Sequence, residues 1–296
     1  MPGPISTFSP GARAAGCDRP GPLPPIPIPG TGALRVARQG DVSAVVMRRA
    51  GSPLTLLAPR SRGPSVAVVA GSFGGGLVSG DRLELAVTLE AGARCQLGTQ
   101  ASTKVYRAKT GETCRQQLTA HIGPGAVLAL VPDPVQPFAG ADYLQDQTFE
   151  LAPGASLALV DWLSAGRAAR GERWAFRRFQ SRNRVRCDGR LALLDSLALD
   201  AGDGSCAALA ATEFDCLALL VLLGPAFEAA AAATLAELDA RPVEPQSPLV
   251  VSGSPLAGGA LLRLAGRGPD LVGRELRRWL MPLAGCLGEH PWIRKW

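Results

Sequence analysis

The sequence is short of the residues from which most catalytic and metal-holding sites are built. Among 296 residues His121 and His290 are the only histidines, so a Ser-His-Asp triad or a His-rich metal cage is hard to assemble. The seven cysteines, Cys17, Cys95, Cys114, Cys187, Cys206, Cys216 and Cys286, stand singly with no C-x-x-C pair, which removes support for a zinc ribbon or a thioredoxin-type site. An odd, scattered set fits reduced thiols, most of them buried as small apolar residues. Long hydrophobic runs are missing as well. The most apolar stretch, Leu217 to Leu223, is far too short to cross a bilayer. Proline interrupts the N-terminal segment throughout, so no apolar signal core forms there. The expectation is a cytoplasmic protein with no membrane partner.

What is present is a chain able to bury a large core, since 47% of its residues are hydrophobic. Its 35 Gly and 25 Pro exceed ordinary usage and call for many turns between short elements, which argues against a helix bundle. The net charge of +6 permits an acidic partner without demanding nucleic acid. Residues 1–30 are read as a disordered Pro/Gly-rich leader and 31–296 as a single domain.

From Leu34 to Leu199 the pattern is strand-like. Leu83, Leu85, Val87 and Leu89 share one face of an alternating segment, with Arg82, Glu84 and Thr88 on the other. Further strands are expected at Val42–Arg49, Leu54–Ala58, Ser65–Ala70, Thr113–His121, Ala126–Val131, Gln147–Leu151, Ser156–Val160, Arg173–Phe179, Ser181–Cys187 and Arg190–Leu199. Three turn segments, Glu90-Ala91-Gly92-Ala93, Gly123-Pro124-Gly125-Ala126 and Ala152-Pro153-Gly154-Ala155, end alike in Gly-Ala and suggest a loose strand–turn–strand repeat. Beyond residue 200 a buried strand is expected over Thr212–Leu223 and a helix from Pro225 to Ala240. Two more strands follow, at Leu249–Val251 and Ala260–Leu264, and then a second helix capped by Asp270 and running to about Leu283. The predicted fold is mainly β, with many short strands in a stacked, β-helix-like or sandwich arrangement and two C-terminal α-helices.

The Gly-rich run Gly71 to Asp81 has no Lys-Ser/Thr after it and leads into a strand, which excludes a phosphate-binding Walker loop. The segment Thr99 to Arg107 packs hydroxyls, an amide, Lys104 and Tyr106 into one polar stretch. Ser102 or Thr103 with Lys104 as base would be a hydrolase reading, but no oxyanion motif accompanies it. Between Arg167 and Arg190 nine Arg stand against Glu172 and Asp188, with Trp174, Phe176 and Phe179 interleaved. Arg182, Arg184 and Arg186 share one strand face, so an RNA- or polyanion-binding surface over 167–190 is the alternative functional reading. In the contrary reading the aromatics face the core and the Arg face solvent.

Taken together, these motifs resemble the urease accessory protein UreD (UreH) family. The matching pieces run in order: Gly74-Gly75-Gly76-Leu77-Val78-Ser79-Gly80-Asp81, Thr99-Gln100-Ala101-Ser102-Thr103-Lys104-Val105-Tyr106-Arg107, Leu130-Val131-Pro132 with Pro137-Phe138-Ala139-Gly140-Ala141, Gly166-Arg167-Ala168-Ala169-Arg170-Gly171-Glu172, and Leu193-Leu194-Asp195. Gly98 replaces the first Thr of the usual Thr-Thr-Gln, and the Pro-rich leader has no counterpart. The resemblance implies a non-enzymatic role in inserting nickel into apo-urease. The implied partners are apo-urease, UreF and, through UreF, the GTPase UreG. Nickel would be in transit through a passage, with no permanently bound cofactor. Asp81 and Glu172, in matching motifs, are the candidate nickel-path carboxylates, with turn capping or pairing to Arg167 or Arg170 as the structural alternative. Gln100, Thr103, Lys104, Tyr106, Arg167 and Arg170 are the candidate scaffold or partner-contact residues.

Overall fold

A computed structural model describes residues 28–60, 62–242, 244 and 246–292. The expected leader lies almost wholly outside them. Two sheets dominate. The first has seven strands in the spatial order Arg190–Asp200, Arg178–Cys187, Asp142–Leu151, Cys114–Ile122, Arg82–Leu89, Thr31–Gln39, Val42–Ala50. The second follows the path Leu249–Leu256, Gly259–Gly266, Cys216–Leu223, Ser156–Ser164, Val127–Leu130, Arg94–Thr99, Val66–Ser72, Leu54–Leu57.

The chain alternates between the sheets. Val66–Ser72 lies in the second and Arg82–Leu89 in the first; Arg94–Thr99 returns to the second and Cys114–Ile122 to the first, and two further coils follow the same course. Each strand therefore pairs in parallel with the equivalent strand of the next coil. This is a β-solenoid-like stack, closed at its later end by antiparallel strands.

The three Gly-Ala turns are one corner of successive coils. In each, the Ala N–H donates to the residue three before it, at 3.0 Å. Gly92, Gly125 and Gly154 all have positive φ, and Pro precedes the last two, which is the type II turn signature. The corners also bond to one another, with Gly92 N–H to Pro124 O at 2.9 Å and Gly125 N–H to Pro153 O at 3.3 Å. Ala93, Ala126 and Ala155 are buried beneath them, where a larger side chain would push the coils apart.

Inward-facing residues of the two sheets make the first core, including Val87, Phe149, Leu128, Leu157 and Val185. The outer face of the second sheet is covered by the helices Glu228–Asp239 and Pro269–Leu280, which bury Val160, Trp162, Val272, Leu276 and Trp279. Val272, Leu276, Trp279, Leu280 and Leu283 recur on one side of the latter helix and its extension, as an amphipathic helix requires.

Several boundaries differ from expectation. Arg173–Phe179 is not a strand. Trp174 takes φ 53° and turns the chain, its buried indole donating to Phe214 O at 3.0 Å, and a single strand begins at Arg178. The Ser156 strand continues through Asp161 to Ser164, and the Leu151 strand starts at Asp142. The apolar run becomes a strand only at Cys216. Gly268, not Asp270, is the cap of the last long helix, with Pro269 and Asp270 in its first turn. Short helices at Ser205–Ala210 and Ala284–Leu287 fall below the length at which periodicity is legible. No helix among the described residues is long and apolar enough to cross a membrane.

Candidate functional site

The sequence motifs converge because each is the connection from the second sheet to the first in a successive coil. The Gly-rich run follows Val66–Ser72, the Thr-Lys-Val-Tyr block follows Arg94–Thr99, the Pro-Phe-Ala-Gly-Ala block follows Val127–Leu130, and Gly166–Glu172 follows Ser156–Ser164. Consecutive connections bond to each other. Leu77 N–H donates to Lys104 O at 2.8 Å and Tyr106 N–H to Leu77 O at 2.9 Å; Thr103 N–H reaches Pro134 O at 3.1 Å and Phe138 N–H reaches Val105 O at 2.9 Å. Tyr106 meets Phe138 edge-on with ring centroids 5.2 Å apart, and the Arg167 guanidinium lies 4.3 Å from the Phe138 centroid. Arg167 in turn pairs with Glu172.

Gly76 is glycine for lack of room. A Cβ there would come within 2.7 Å of both Lys104 O and the Tyr106 ring. Gly76→Val should therefore pry the first connection off the second and destabilise the chain by about 1–3 kcal/mol, the usual cost of overpacking. Thermal unfolding of the variant against the unaltered chain reads that cost, since Gly76 is not at positive φ and carries no left-handed strain of its own.

The eight residues singled out by sequence divide. Arg167, Glu172, Tyr106 and the nearby Arg170 belong to the braced connections. Glu172 also accepts from Ala139 N–H at 3.2 Å, and its bond to Arg167 holds its carboxyl below the ordinary range. The Asp81 carboxylate accepts from Val78 N–H at 2.8 Å and so caps its own turn. Gln100, Thr103 and Lys104 instead line a cavity of about 370 Å³ at the mouth between the sheets, with Gly75, Gly76 and Gln116.

That mouth is the first of three cavities sharing walls in series. Thr99, Thr103 and Gln116 also line an interior cavity of about 50 Å³, room for a few water-sized occupants. Asp161 and Trp162 are common to the interior cavity and to a third of about 320 Å³, which also touches Ser181, Asp195 and Arg263. Neither Asp81 nor Glu172 lines any of the three.

Strand register explains the line. On the first sheet Gln116, Gln145 and Ser181 are cross-strand partners in one row, and Gln147, Asn183 and Asp195 in the next. Opposite them, Asp161, Leu219 and Arg263 form a row of the second sheet. A polar stripe thus runs along the stack between two apolar layers. Its hydrogen bonds converge on Asp161. Gln145 donates to one carboxylate oxygen at 2.9 Å, and Ser181 and Asn183 donate to the other at 2.5 and 2.7 Å. Gln147 donates to Asn183 at 3.0 Å, and the buried Tyr143 hydroxyl to Gln145 at 3.0 Å. Burial raises the Asp161 pKa, the three donors pull it back, and the charge of Asp195 pushes it further up. The donor set is one carboxylate with amide and hydroxyl oxygens, suited to holding a cation weakly and releasing it.

Sequence reading passed over Asp161, Gln145, Gln147, Ser181, Asn183 and Arg263, and took Asp195 only as part of the Leu193-Leu194-Asp195 motif. The legible sign was Asp161 itself, a lone carboxylate in the apolar run Leu157 to Leu163. Elsewhere polar residues occupy both faces of the strand, as in Gln145-Asp146-Gln147, so alternation does not say which points inward.

The remaining candidates for chemistry are occupied otherwise. Burial pushes the Cys95 thiol up to about 12 and the Cys114 thiol to about 11, so neither offers a thiolate near neutral pH. No group of three or more His, Cys, Asp or Glu that could hold a metal occurs among the described residues. Arg182 and Arg184 face Asp146 at 3.9 and 4.0 Å, and Arg186 faces Glu150 at 3.7 Å, on the outer surface of the first sheet. Trp174, Phe176 and Phe179 are buried, so these three offer no stacking platform beside those Arg.

Comparison with known proteins gives a consistent answer. The sequence profile of the UreD urease accessory protein family matches residues 29–295. The urease accessory protein UreD of Anaeromyxobacter sp. (strain Fw109-5) is 44% identical over 265 residues, spanning 90% of this chain and 89% of that protein. That of Sorangium cellulosum (strain So ce56) is 47% identical over 268 residues, spanning 90% and 84%. Urease accessory protein D of Oryza sativa subsp. japonica is 37% identical over 203 residues, spanning 67% and 66%. With the match running from the first strand past the last helix, through all four stacked connections, this chain belongs to the UreD urease accessory protein family.

Proposed function

We propose that the chain is a nickel-insertion chaperone, without catalytic activity of its own. It binds apo-urease, is joined through UreF to the nickel-carrying GTPase UreG, and carries nickel along the polar stripe to the urease metallocentre. The observation that supports this most is Asp161, an ionisable carboxylate inside the sandwich, held by three donors and bordered by cavities on both sides. A tight His/Cys cage would trap the ion, whereas a carboxylate among amides and hydroxyls lets it move on. Nickel is cargo here and no resident cofactor is needed. Gln100, Thr103 and Lys104 surround one mouth and are the partner-facing residues of the braced connections. Asp81 and Glu172 serve the frame, as turn cap and ion pair.

The test is co-expression of the cognate urease subunits and remaining accessory proteins with and without this chain, carrying an affinity tag. The expected result is co-purification of apo-urease and UreF with the tagged chain, and urease nickel that falls when the chain is omitted. Unchanged nickel without the chain would overturn the reading.

A further inference from the structure

The third cavity, which opens to solvent, is lined on its outer side by one ion pair that joins the two sheets. Arg263 Nη2 lies 2.5 Å from Asp195 Oδ1, Arg263 on the Gly259–Gly266 strand and Asp195 on the Arg190–Asp200 strand. The Asp195 side chain is 13% exposed and the Arg263 side chain 55% exposed, so the pair stands at the boundary between cavity and solvent. Both residues and Asp161 line the same cavity. Asp195 is the cross-strand partner of Asn183, which itself donates to Asp161 at 2.7 Å. Arg263 is two strands from Asp161 in the same row, roughly 10 Å at ordinary strand spacing. A cation leaving Asp161 for this side meets Asp195 next, and finds a permanent cation already there.

We propose that Arg263 is the gate of this mouth, a built-in cation that occupies Asp195 and holds the passage shut to divalent cations until it is displaced. The proposal rests on the transit reading above and names the residue that controls one end of it. Opening requires Arg263 to leave Asp195 for another anion, such as an acidic side chain of a bound partner. With Arg263 gone, Asp161 and Asp195 face one cavity as two carboxylates without a counter-charge, and nickel is drawn in.

The experiment is Ni(II) titration of the full chain by calorimetry, with the position of the ion read from paramagnetic broadening of the Leu197 and Leu219 methyl signals, two other residues lining this cavity. Arg263→Gln should tighten nickel binding about tenfold or more, as expected for removing one nearby like charge, and broaden both methyls. Arg263→Lys, which keeps the charge, should stay near wild type. Adding Asp195→Asn to Arg263→Gln should abolish the gain. Equal affinity in wild type and Arg263→Gln, or a gain that survives Asp195→Asn, would overturn the proposal. Circular dichroism confirms that each variant is folded, which the half-exposed position of Arg263 favours. If urease nickel does not depend on the chain but the titration series holds, the transit reading falls and the gate stands as a property of the cavity. If nickel loading depends on the chain and the series is flat, the gate alone falls.

Discussion

Urease matured alongside an Asp161→Asn variant should hold roughly a tenth or less of the nickel, and show correspondingly less activity, than urease matured with the unaltered chain. The size follows from charge. Among the described residues Asp161 is the only ionisable group shared by the interior cavity and the outer one, and an ion–carboxylate interaction even at an effective dielectric of about 20 is worth several kcal/mol at contact. Asparagine keeps the volume and one acceptor, so the strand and the surrounding cores should survive and the variant should still co-purify with apo-urease. A variant that no longer associates would show instead that Asp161 matters for assembly. The same substitution carries a pH signature. Burial raises the folded-state pKa of Asp161, so the folded chain binds that proton more tightly than the unfolded chain. Stability from this group is therefore lost as pH rises from the unfolded carboxylate value of about 4 through the folded value. Thermal unfolding of wild type and Asp161→Asn, compared point by point from pH 4 upward, should show wild type losing ground as pH rises. A constant difference across that range would mean that Asp161 titrates as an exposed carboxylate.

Phe149→Ala should be the most damaging single change in the core between the sheets, costing about 3–5 kcal/mol. Phe149 is fully buried and sits in one row of cross-strand partners, Leu34, Val87, Ala120, Phe149, Val185 and Leu193, across the first sheet. Its cross-strand neighbour Ala120 is small, and both belong to the core between the sheets. Six backbones in hydrogen-bonded register cannot close over the hole, so little relaxation offsets the lost contacts. For a chain of this size the midpoint should fall by about 5–8 °C. A drop of only a degree or two in calorimetry would mean that the row collapses around the cavity. Nickel handling in the surviving folded fraction should be little changed, because Phe149 lines none of the three cavities. That contrast separates a packing defect from a defect in the passage.

The composition and the turn chemistry determined much of this protein without tertiary information. Excess Gly and Pro, alternation such as Leu83-Leu85-Val87-Leu89, and the three Gly-Ala corners specify short strands joined by type II turns, because positive φ and a Pro-set φ are properties of the local chain. Two helices on the C-terminal side were legible from their periodicity and bounding prolines. Family membership was legible too, since its motifs are contiguous. The candidate site was not. Gln145, Asp161, Ser181 and Asp195 come from four strands, and what unites them is strand register, the parallel pairing of Gln145 with Ser181 and the antiparallel pairings of Asn183 with Asp195 and of Asp161 with Leu219. Register is fixed by long-range packing of whole strands, and a shift of one residue would send every one of these side chains to the other face. Asp81 and Glu172 drew attention because they sit in recognisable motifs. The tertiary structure gives them to a turn and an ion pair, and gives the interior to a carboxylate that the local sequence marked only by its apolar neighbours.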